Sequence, residues 1–324
     1  MVIDKNLIFS KIFVLIFTLF SFGKAYDFPT QPTCQKSSKI QSPIPILSQK
    51  TTFYQQNYFR IVQNNYTNID LSVGWSNLPN DKAIGIVPPA GQTSFGPMII
   101  MKDWALYQFD LTKILFRYGS EHTIDNIKYD VEMQLIHSIN NTYRSPGRYI
   151  SLGDVSTLVV SIFFVNGNLT LQDNSLLFNF TNFTYFANQQ IANPTKTIPN
   201  TFSRAFKLRT IVQHAPGYNY VGTTTSSPCN KALYFLFPQY HLIPNDMLTL
   251  MKNLYNALGY LDSTTGTNTR DLQLDQNVVV YRNYDQLSRL LIEKNKLQYT
   301  KTNALQISYA MIVFVVISAI NFLG

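Results

Sequence analysis

Residues 114–125 read ILFRYGSEHTID, and residues 132–137 read EMQLIH after a short polar stretch. The second segment alternates polar and apolar residues, which is typical of a β-strand. Side chains two positions apart on a strand project from the same face, so Leu115 and Arg117 are expected to point together. Gln134 lies on the strand that follows. Two side chains from one strand and one from its neighbour are a natural arrangement for a three-ligand metal cage.

The residues at these three positions do not suit a metal ion. A catalytic zinc ion needs three imidazole, thiolate or carboxylate ligands and an open fourth position for water. Leucine has no lone pair, a carboxamide is a poor zinc ligand, and a guanidinium stays protonated at any pH that a protein survives. One unit charge facing a dication at ~4 Å costs roughly 8 kcal/mol at an effective dielectric constant of ~20. Arg117 is therefore expected to repel zinc.

The two segments resemble the signature of the α-carbonic anhydrases, in which an H-x-H strand is followed by S-E-H-T and then by a strand reading E-x-H. The resemblance places the three zinc ligands of that family at Leu115, Arg117 and Gln134, which makes them degenerate ligand positions. It also implies that two residues supporting the metal site, Glu121 and Glu132, are retained. We expect no catalytic residue at the site, and we expect Arg117 to pair with one of these two acids.

Three further segments carry the resemblance, which extends over most of the chain. They are similar to C-x-x-G-x-x-Q-S-P-I at residues 34–44, to Y-x-G-S-x-T-T-P-P-C at residues 220–229 and to N-x-R-x-x-Q at residues 268–273. The resemblance places Thr225 at the position of the threonine that holds the zinc-bound hydroxide. It implies that the hydrogen bond from Thr225 to Glu121 is retained.

The four histidines of the chain do not offer a second set of ligands. His122 and His137 occupy positions that the family uses for packing and hydrogen bonding, while His214 and His241 lie in turn-like segments near prolines. No H-x-H, C-x-x-C or H-E-x-x-H spacing occurs. Tyr66 lies near the position where active relatives often carry a proton-shuttling histidine, and this departure also argues against turnover.

Composition and periodicity predict a fold that is mainly β with a few short helices (α+β). The chain has 324 residues, 45% of them hydrophobic, with 20 tyrosines and 23 phenylalanines. Runs such as residues 158–165 indicate buried strands, and residues 244–258 are the one long segment with helical spacing. Asp125 and Asn126 predict a turn. The resemblance implies a single domain, residues 26–285, built on a large, twisted, mostly antiparallel central sheet.

Both ends of the chain are typical of membrane targeting. An apolar run flanked by lysines and followed by small residues predicts a secretory signal peptide over residues 1–25, with an uncleaved anchor as the alternative. A linker is predicted over residues 286–303. Residues 304–324 end in an uncharged apolar stretch, which predicts a GPI signal or a transmembrane segment. Either interpretation places the domain on the extracellular face of the cell membrane.

The extracellular interpretation agrees with two other features. The resemblance implies a disulfide between Cys34 and Cys229, since extracellular members of the family join these positions. N-x-[ST] sequons predict possible N-glycosylation, although asparagine is abundant and chance matches are expected. The sequons begin at Asn65, Asn140, Asn168, Asn179 and Asn182.

Two classes of function follow. The first is a non-catalytic surface module without a cofactor, which presents the inherited cleft to an unknown protein or anionic glycan. The formal net charge of +8 is scattered along the chain, and no pattern of basic and aromatic residues indicates nucleic acid. The alternative is an active, zinc-dependent carbonic anhydrase with an atypical metal site. An anion pocket around Arg117 is a third possibility.

Overall fold

The computed structural model describes residues 41–53, 59–66, 74–88, 90–102, 105–140, 155–167, 180–195, 217–225, 229–273 and 278–282. The predicted signal peptide, the linker, the C-terminal segment, Cys34 and His214 lie outside the described residues, as do the sequon asparagines Asn168 and Asn179.

The described residues form fourteen strands and two α-helices. The strands are β1 (Pro45–Ile46), β2 (Thr52–Phe53), β3 (Arg60–Asn64), β4 (Gly74–Leu78), β5 (Ala83–Val87), β6 (Pro97–Lys102), β7 (Ala105–Tyr118), β8 (Thr123–Ile124), β9 (Ile127–Lys128), β10 (Val131–Ile139), β11 (Thr157–Gly167), β12 (Tyr218–Thr223), β13 (Lys231–Pro244) and β14 (Tyr281–Arg282). The helices are α1 (Phe180–Ala192) and α2 (Asn245–Ala257).

One large sheet organises the domain. Its main path runs β2-β14-β12-β13-β11-β10-β7-β5-β4, and β6 also pairs with β7 and carries β3 on its other side, which makes eleven strands. The pairs β11–β13 and β14–β2 are parallel and the others are antiparallel. A small sheet, β1-β8-β9, lies apart from it. The prediction of a mainly β, single-domain fold with a mostly antiparallel central sheet is confirmed.

The two faces of the large sheet have different coverings. On one face, alternate β10 residues such as Met133 and Leu135 pack in a core that includes Phe183 of α1 and Met251 of α2. Glu132 and Gln134, which alternate with Met133 and Leu135, must point to the opposite face, because side chains alternate along a strand. That opposite face carries a second core, built from aromatic and aliphatic side chains of β11, β12, β13 and the small sheet.

The segments with clear periodicity formed the expected elements. The predicted strand at residues 158–165 lies within β11, and the predicted helix at residues 244–258 is α2. The turn at Asp125 and Asn126 has φ of 49° and 63° and joins β8 to β9, so it closes a short hairpin between the two long strands. Helix α1 was not predicted.

Candidate functional site

The register between β7 and β10 brings the predicted site residues together. Gln134 lies opposite Leu115, and Glu132 lies opposite Arg117. Ser161 of β11 pairs with Gln134 from the other side. Residues directly opposite each other in a sheet share a face, so these side chains form one cluster on the face away from the helices. The three degenerate ligand positions are all buried, with exposed fractions of 1% for Leu115 and Gln134 and 3% for Arg117.

Gly85 lets β5 pack closely beside this cluster. It pairs with Leu115 in the antiparallel β5–β7 register. A Cβ atom at this position would collide with the backbone oxygen of Ile114 and would lie 2.6 Å from Cδ1 of Leu78. Only glycine therefore fits between the two strands at this level.

Arg117 is held by an acid and by a backbone carbonyl. Its Nε lies 3.4 Å from Oε1 of Glu121, with the two side chains 4% and 2% exposed. The geometry at Nε is not that of a hydrogen bond, so this contact is an ion pair. Nη1 donates a hydrogen bond of 2.7 Å to the carbonyl oxygen of Asp81. Burial lowers the pKa of Arg117, but the negative charge of Glu121 and weaker contributions from Tyr255, Asp81 and Glu132 raise it above its ordinary value. The guanidinium is therefore cationic, and Glu121 is its partner.

The other oxygen of Glu121 is occupied by Gln134. Nε2 of Gln134 donates to Oε2 of Glu121 at 2.7 Å and to Oε1 of Glu132 at 3.0 Å. The amide nitrogen, which is a donor only, thus faces the carboxylates. Thr225 is partly buried, and within the described part of the chain no hydrogen bond joins it to Glu121. The hydrogen bond predicted between these two residues is not formed, and the carboxylate of Glu121 is contacted by Arg117 and Gln134 instead.

Glu132 is the most heavily hydrogen-bonded acid of the site. Its Oε1 accepts from Oγ of Ser161 at 2.7 Å, from Nε2 of Gln134 and from Nδ1 of His122 at 2.9 Å. Its Oε2 accepts from the backbone N–H groups of Glu121 at 2.8 Å and His122 at 3.0 Å. Burial by itself raises the pKa of Glu132, but the charge and hydrogen bonds of His122, with the hydrogen bond of Gln134, lower it to about 2. Glu132 is therefore a carboxylate at neutral pH.

His122 links this acid to two distant segments of the chain. Its Nε2 lies 2.6 Å from the hydroxyl of Tyr220, which donates to Oγ of Ser42 at 2.9 Å. The backbone N–H of Thr223 also donates to that oxygen, at 3.2 Å, and Nη1 of Arg270 donates to the carbonyl oxygen of Ser42 at 2.7 Å. Ser42, Tyr220 and Arg270, one residue from each of the three motif segments, therefore meet at one place in the fold.

The comparison with known families decides the classification. Residues 27–284 match the sequence model described as eukaryotic-type carbonic anhydrase. The chain belongs to the eukaryotic-type carbonic anhydrase family. No curated protein matches the sequence significantly.

Solved structures agree on the carbonic anhydrase fold. Dioscorin complexed with ascorbate has 20% sequence identity and a TM-score of 0.57, over 80% of this chain and 91% of dioscorin. A halotolerant carbonic anhydrase from Dunaliella salina has 16% identity and a TM-score of 0.55, over 78% and 91% of the two chains. A carbonic anhydrase from Chlamydomonas reinhardtii in complex with acetazolamide has 19% identity and a TM-score of 0.55, over 81% and 98%.

The donor set of this carbonic anhydrase relative does not fit the zinc ion that the family normally binds. Leu115 offers no ligand atom, Arg117 is a buried cation, and Gln134 directs its amide nitrogen at two carboxylates. Within the described ranges, no group of three or more His, Cys, Asp or Glu residues is arranged to hold a metal ion. The two carboxylates beside the site are both engaged by protein donors.

Tyr66 does not lie at the site. Its hydroxyl bonds Nε2 of His137 at 2.9 Å, and the Nδ1 of that ring bonds the carbonyl oxygens of Leu135 and Leu158. His137 shares the helix-covered face with Leu135, whereas Gln134 points to the other face. The predicted placement of Tyr66 near the proton-shuttle position is therefore wrong. Burial lowers the pKa of His137 to about 4, so the ring is neutral and structural.

Two site residues were missed in the sequence. Ser161 is the one polar residue in the apolar run at residues 158–165, and that interruption could have been noticed as a buried hydrogen-bonding group. Asp81 contributes a backbone oxygen, for which a sequence gives no signal.

The predicted modification sites are described only in part. Cys229 is disulfide-bonded, but Cys34, its predicted partner, lies outside the described residues, so the pairing stays a prediction. Asn65 and Asn140 are partly buried, and Nδ2 of Asn140 donates to Oδ2 of Asp110 at 2.7 Å. Asn182 begins its sequon inside α1. In the described part of the chain, no helix has the length and hydropathy needed to cross a bilayer.

Proposed function

We propose that this protein is a carbonic anhydrase-like module without catalytic activity, which acts as a binding or structural surface. The observation that carries the proposal is the buried guanidinium of Arg117 at one of the three positions where the family holds zinc. Catalytic zinc activates a water molecule by lowering its pKa to about 7. A site with one cation, one alkyl group and one carboxamide supplies no equivalent of that activation.

The acids beside the site support the same proposal. Glu121 is bound by Arg117 and Gln134, and Glu132 accepts five hydrogen bonds. Neither carboxylate is left to act as a general base or to orient a nucleophile. The polar cluster therefore stabilises the fold.

The location and partner belong to the same proposal. We infer a secreted glycoprotein held at the extracellular face of the cell membrane by a GPI anchor or a single spanning segment. The predicted signal peptide, the apolar C-terminal segment over residues 304–324 and the predicted disulfide support this inference. The partner in this proposal is a protein or an anionic glycan at the cell surface.

The test measures zinc content and CO2 hydration on the full chain purified from a secretory host. We expect far less than stoichiometric zinc and no hydration above the uncatalysed rate. An active carbonic anhydrase purified in parallel is the positive control. Stoichiometric zinc together with hydration at an enzymatic rate would establish the alternative, an atypical carbonate dehydratase.

A restored variant sharpens the test. Leu115→His, Arg117→His and Gln134→His together return three imidazoles to positions that the strand register brings together. If the three substitutions alone explain the loss of metal, this variant should bind zinc while the unaltered chain does not. Equal zinc content in both proteins would show that the donor set is not the cause.

A further inference from the structure

The turn between β4 and β5 is built without apolar anchoring. It is a short 3-10 segment, Pro79–Asp81, followed by Lys82 in the left-handed region at φ 46°. None of the residues of Pro79–Asp81 is buried, whereas the next residues, Ala83 and Ile84, are fully buried. We call residues 79–82 the strap. The hydrophobic effect contributes little to holding it in place.

Two side chains of β7 hold the strap. Nζ of Lys113 lies 2.8 and 2.7 Å from the two carboxylate oxygens of Asp81, and Nη1 of Arg117 bonds the carbonyl oxygen of the same residue. Positions 113, 115 and 117 share one face of β7. Lys113 is 30% exposed and Arg117 is 4% exposed, so Asp81 of the strap contacts both the exposed and the buried end of this row.

A third contact fixes the end of the strap beside β5. Nδ2 of Asn268 donates to the carbonyl oxygen of Lys82 at 3.0 Å. Oδ1 of the same side chain accepts from the backbone N–H of Tyr118 at 2.7 Å. This contact ties the strap to the last residue of β7 through one amide group.

We propose that the strap is a closure over the polar site, which opens locally when the contacts of Lys113 and Arg117 with Asp81 are lost. Segments with few buried apolar contacts and hydrogen bonds near solvent open at low free energy, independently of the core. Opening ends at Ala83, where the fully buried part of β5 begins. The open form exposes the guanidinium of Arg117 to solvent. The inference goes beyond the proposed function, and it holds whether the chain is active or inactive.

Hydrogen exchange measured by mass spectrometry on the full chain tests the closure. Lys113→Met removes the ion pair between Lys113 and Asp81, and a partly exposed pair of this kind is worth about 1 kcal/mol, so exchange of strap amides should rise about fivefold. Arg117→Met should raise it further. Lys252→Met, an exposed position on α2, is the matched control and should leave the strap unchanged.

Hydrogen exchange in the core strands β10 and β11 distinguishes local opening of the strap from unfolding of the whole domain. Peptides of β10 and β11 should exchange at the same rate in Lys113→Met and in the unaltered chain. Strap exchange that does not change in Lys113→Met, or that rises by the same factor in β10 and β11, would overturn the proposal. Should Arg117→Met fail to fold, Lys113→Met still decides, because its side chain is the more exposed of the two.

Discussion

Removing the charge of Arg117 should cost the fold several kcal/mol. Arg117→Met keeps most of the aliphatic stem and deletes the guanidinium, so the change reports mainly on charge and hydrogen bonding. The variant loses the ion pair to Glu121 at 3.4 Å and the hydrogen bond to the carbonyl oxygen of Asp81. It leaves a buried carboxylate without its cation.

The magnitude follows from the distance and the burial. At 3.4 Å, a pair of unit charges attracts by about 5 kcal/mol at an effective dielectric constant of about 20. Desolvation offsets part of this attraction in the intact protein, but breaking a buried pair from one side typically costs about 3–5 kcal/mol. We therefore expect Arg117→Met to lower the free energy of unfolding by about 3–5 kcal/mol.

A double-mutant cycle separates this effect from lost packing. Glu121→Gln removes the negative charge at constant size, and it should cost less in the Arg117→Met background than in the unaltered chain, by more than about 1.5 kcal/mol. Urea unfolding followed by tryptophan fluorescence measures all four proteins. A cost below ~1 kcal/mol for Arg117→Met, the range of exposed pairs, would refute the reasoning. So would additive effects within ~0.5 kcal/mol.

Three other predictions concern stability. The pKa of Glu132 is lowered from 4.5 to about 2, so the stability that this carboxylate contributes is complete above about pH 4.5 and is lost as the pH falls through about 2. Unfolding measured against pH should therefore lack this acid-dependent loss in Glu132→Gln. An acid profile equal to that of the unaltered chain would contradict the prediction. Gly85→Ala should lower the unfolding free energy by about 1–3 kcal/mol through overpacking against Ile114, and a change below ~0.5 kcal/mol in urea unfolding would show that β5 can move aside. Non-reducing peptide mapping should recover Cys34 joined to Cys229, and reduction should cost about 2–5 kcal/mol; free thiols in the folded, secreted protein would exclude the pairing.

The parts of the fold that could be predicted are those where local patterns and tertiary packing agree. β11 is a run of apolar, β-branched and aromatic residues buried on both faces, and α2 has apolar residues at helical spacing. Helix α1 contains aromatic and β-branched residues and asparagines, which are weak helix formers. It forms because Phe183 and Phe186 pack in the main core. No local pattern reports that packing.

The site was predictable where the periodicity of strands determines which side chains share a face. Positions 115, 117 and 134 converge because the first two lie two residues apart and the third pairs with one of them. The absence of the bond between Thr225 and Glu121 was not predictable, because packing decides which donors reach a buried carboxylate, and here Arg117 and Gln134 contact it. The prediction for Tyr66 failed because a sequence match does not determine on which face of the sheet its side chain packs.

Retention of the S-E-H-T motif has a structural explanation that needs no chemistry. Oγ of Ser120 donates to the carbonyl oxygen of His122 at 2.7 Å, and His122 and the backbone of Glu121 bind Glu132. Two ionisable acids are thereby fixed in the interior, and burying a carboxylate is costly unless it is paired and hydrogen-bonded. A neutral side chain at position 117 would leave Glu121 with only the amide of Gln134 as its side-chain donor. A cation at that position compensates the charge, so the arginine at a degenerate ligand position is also the residue that balances the buried acids.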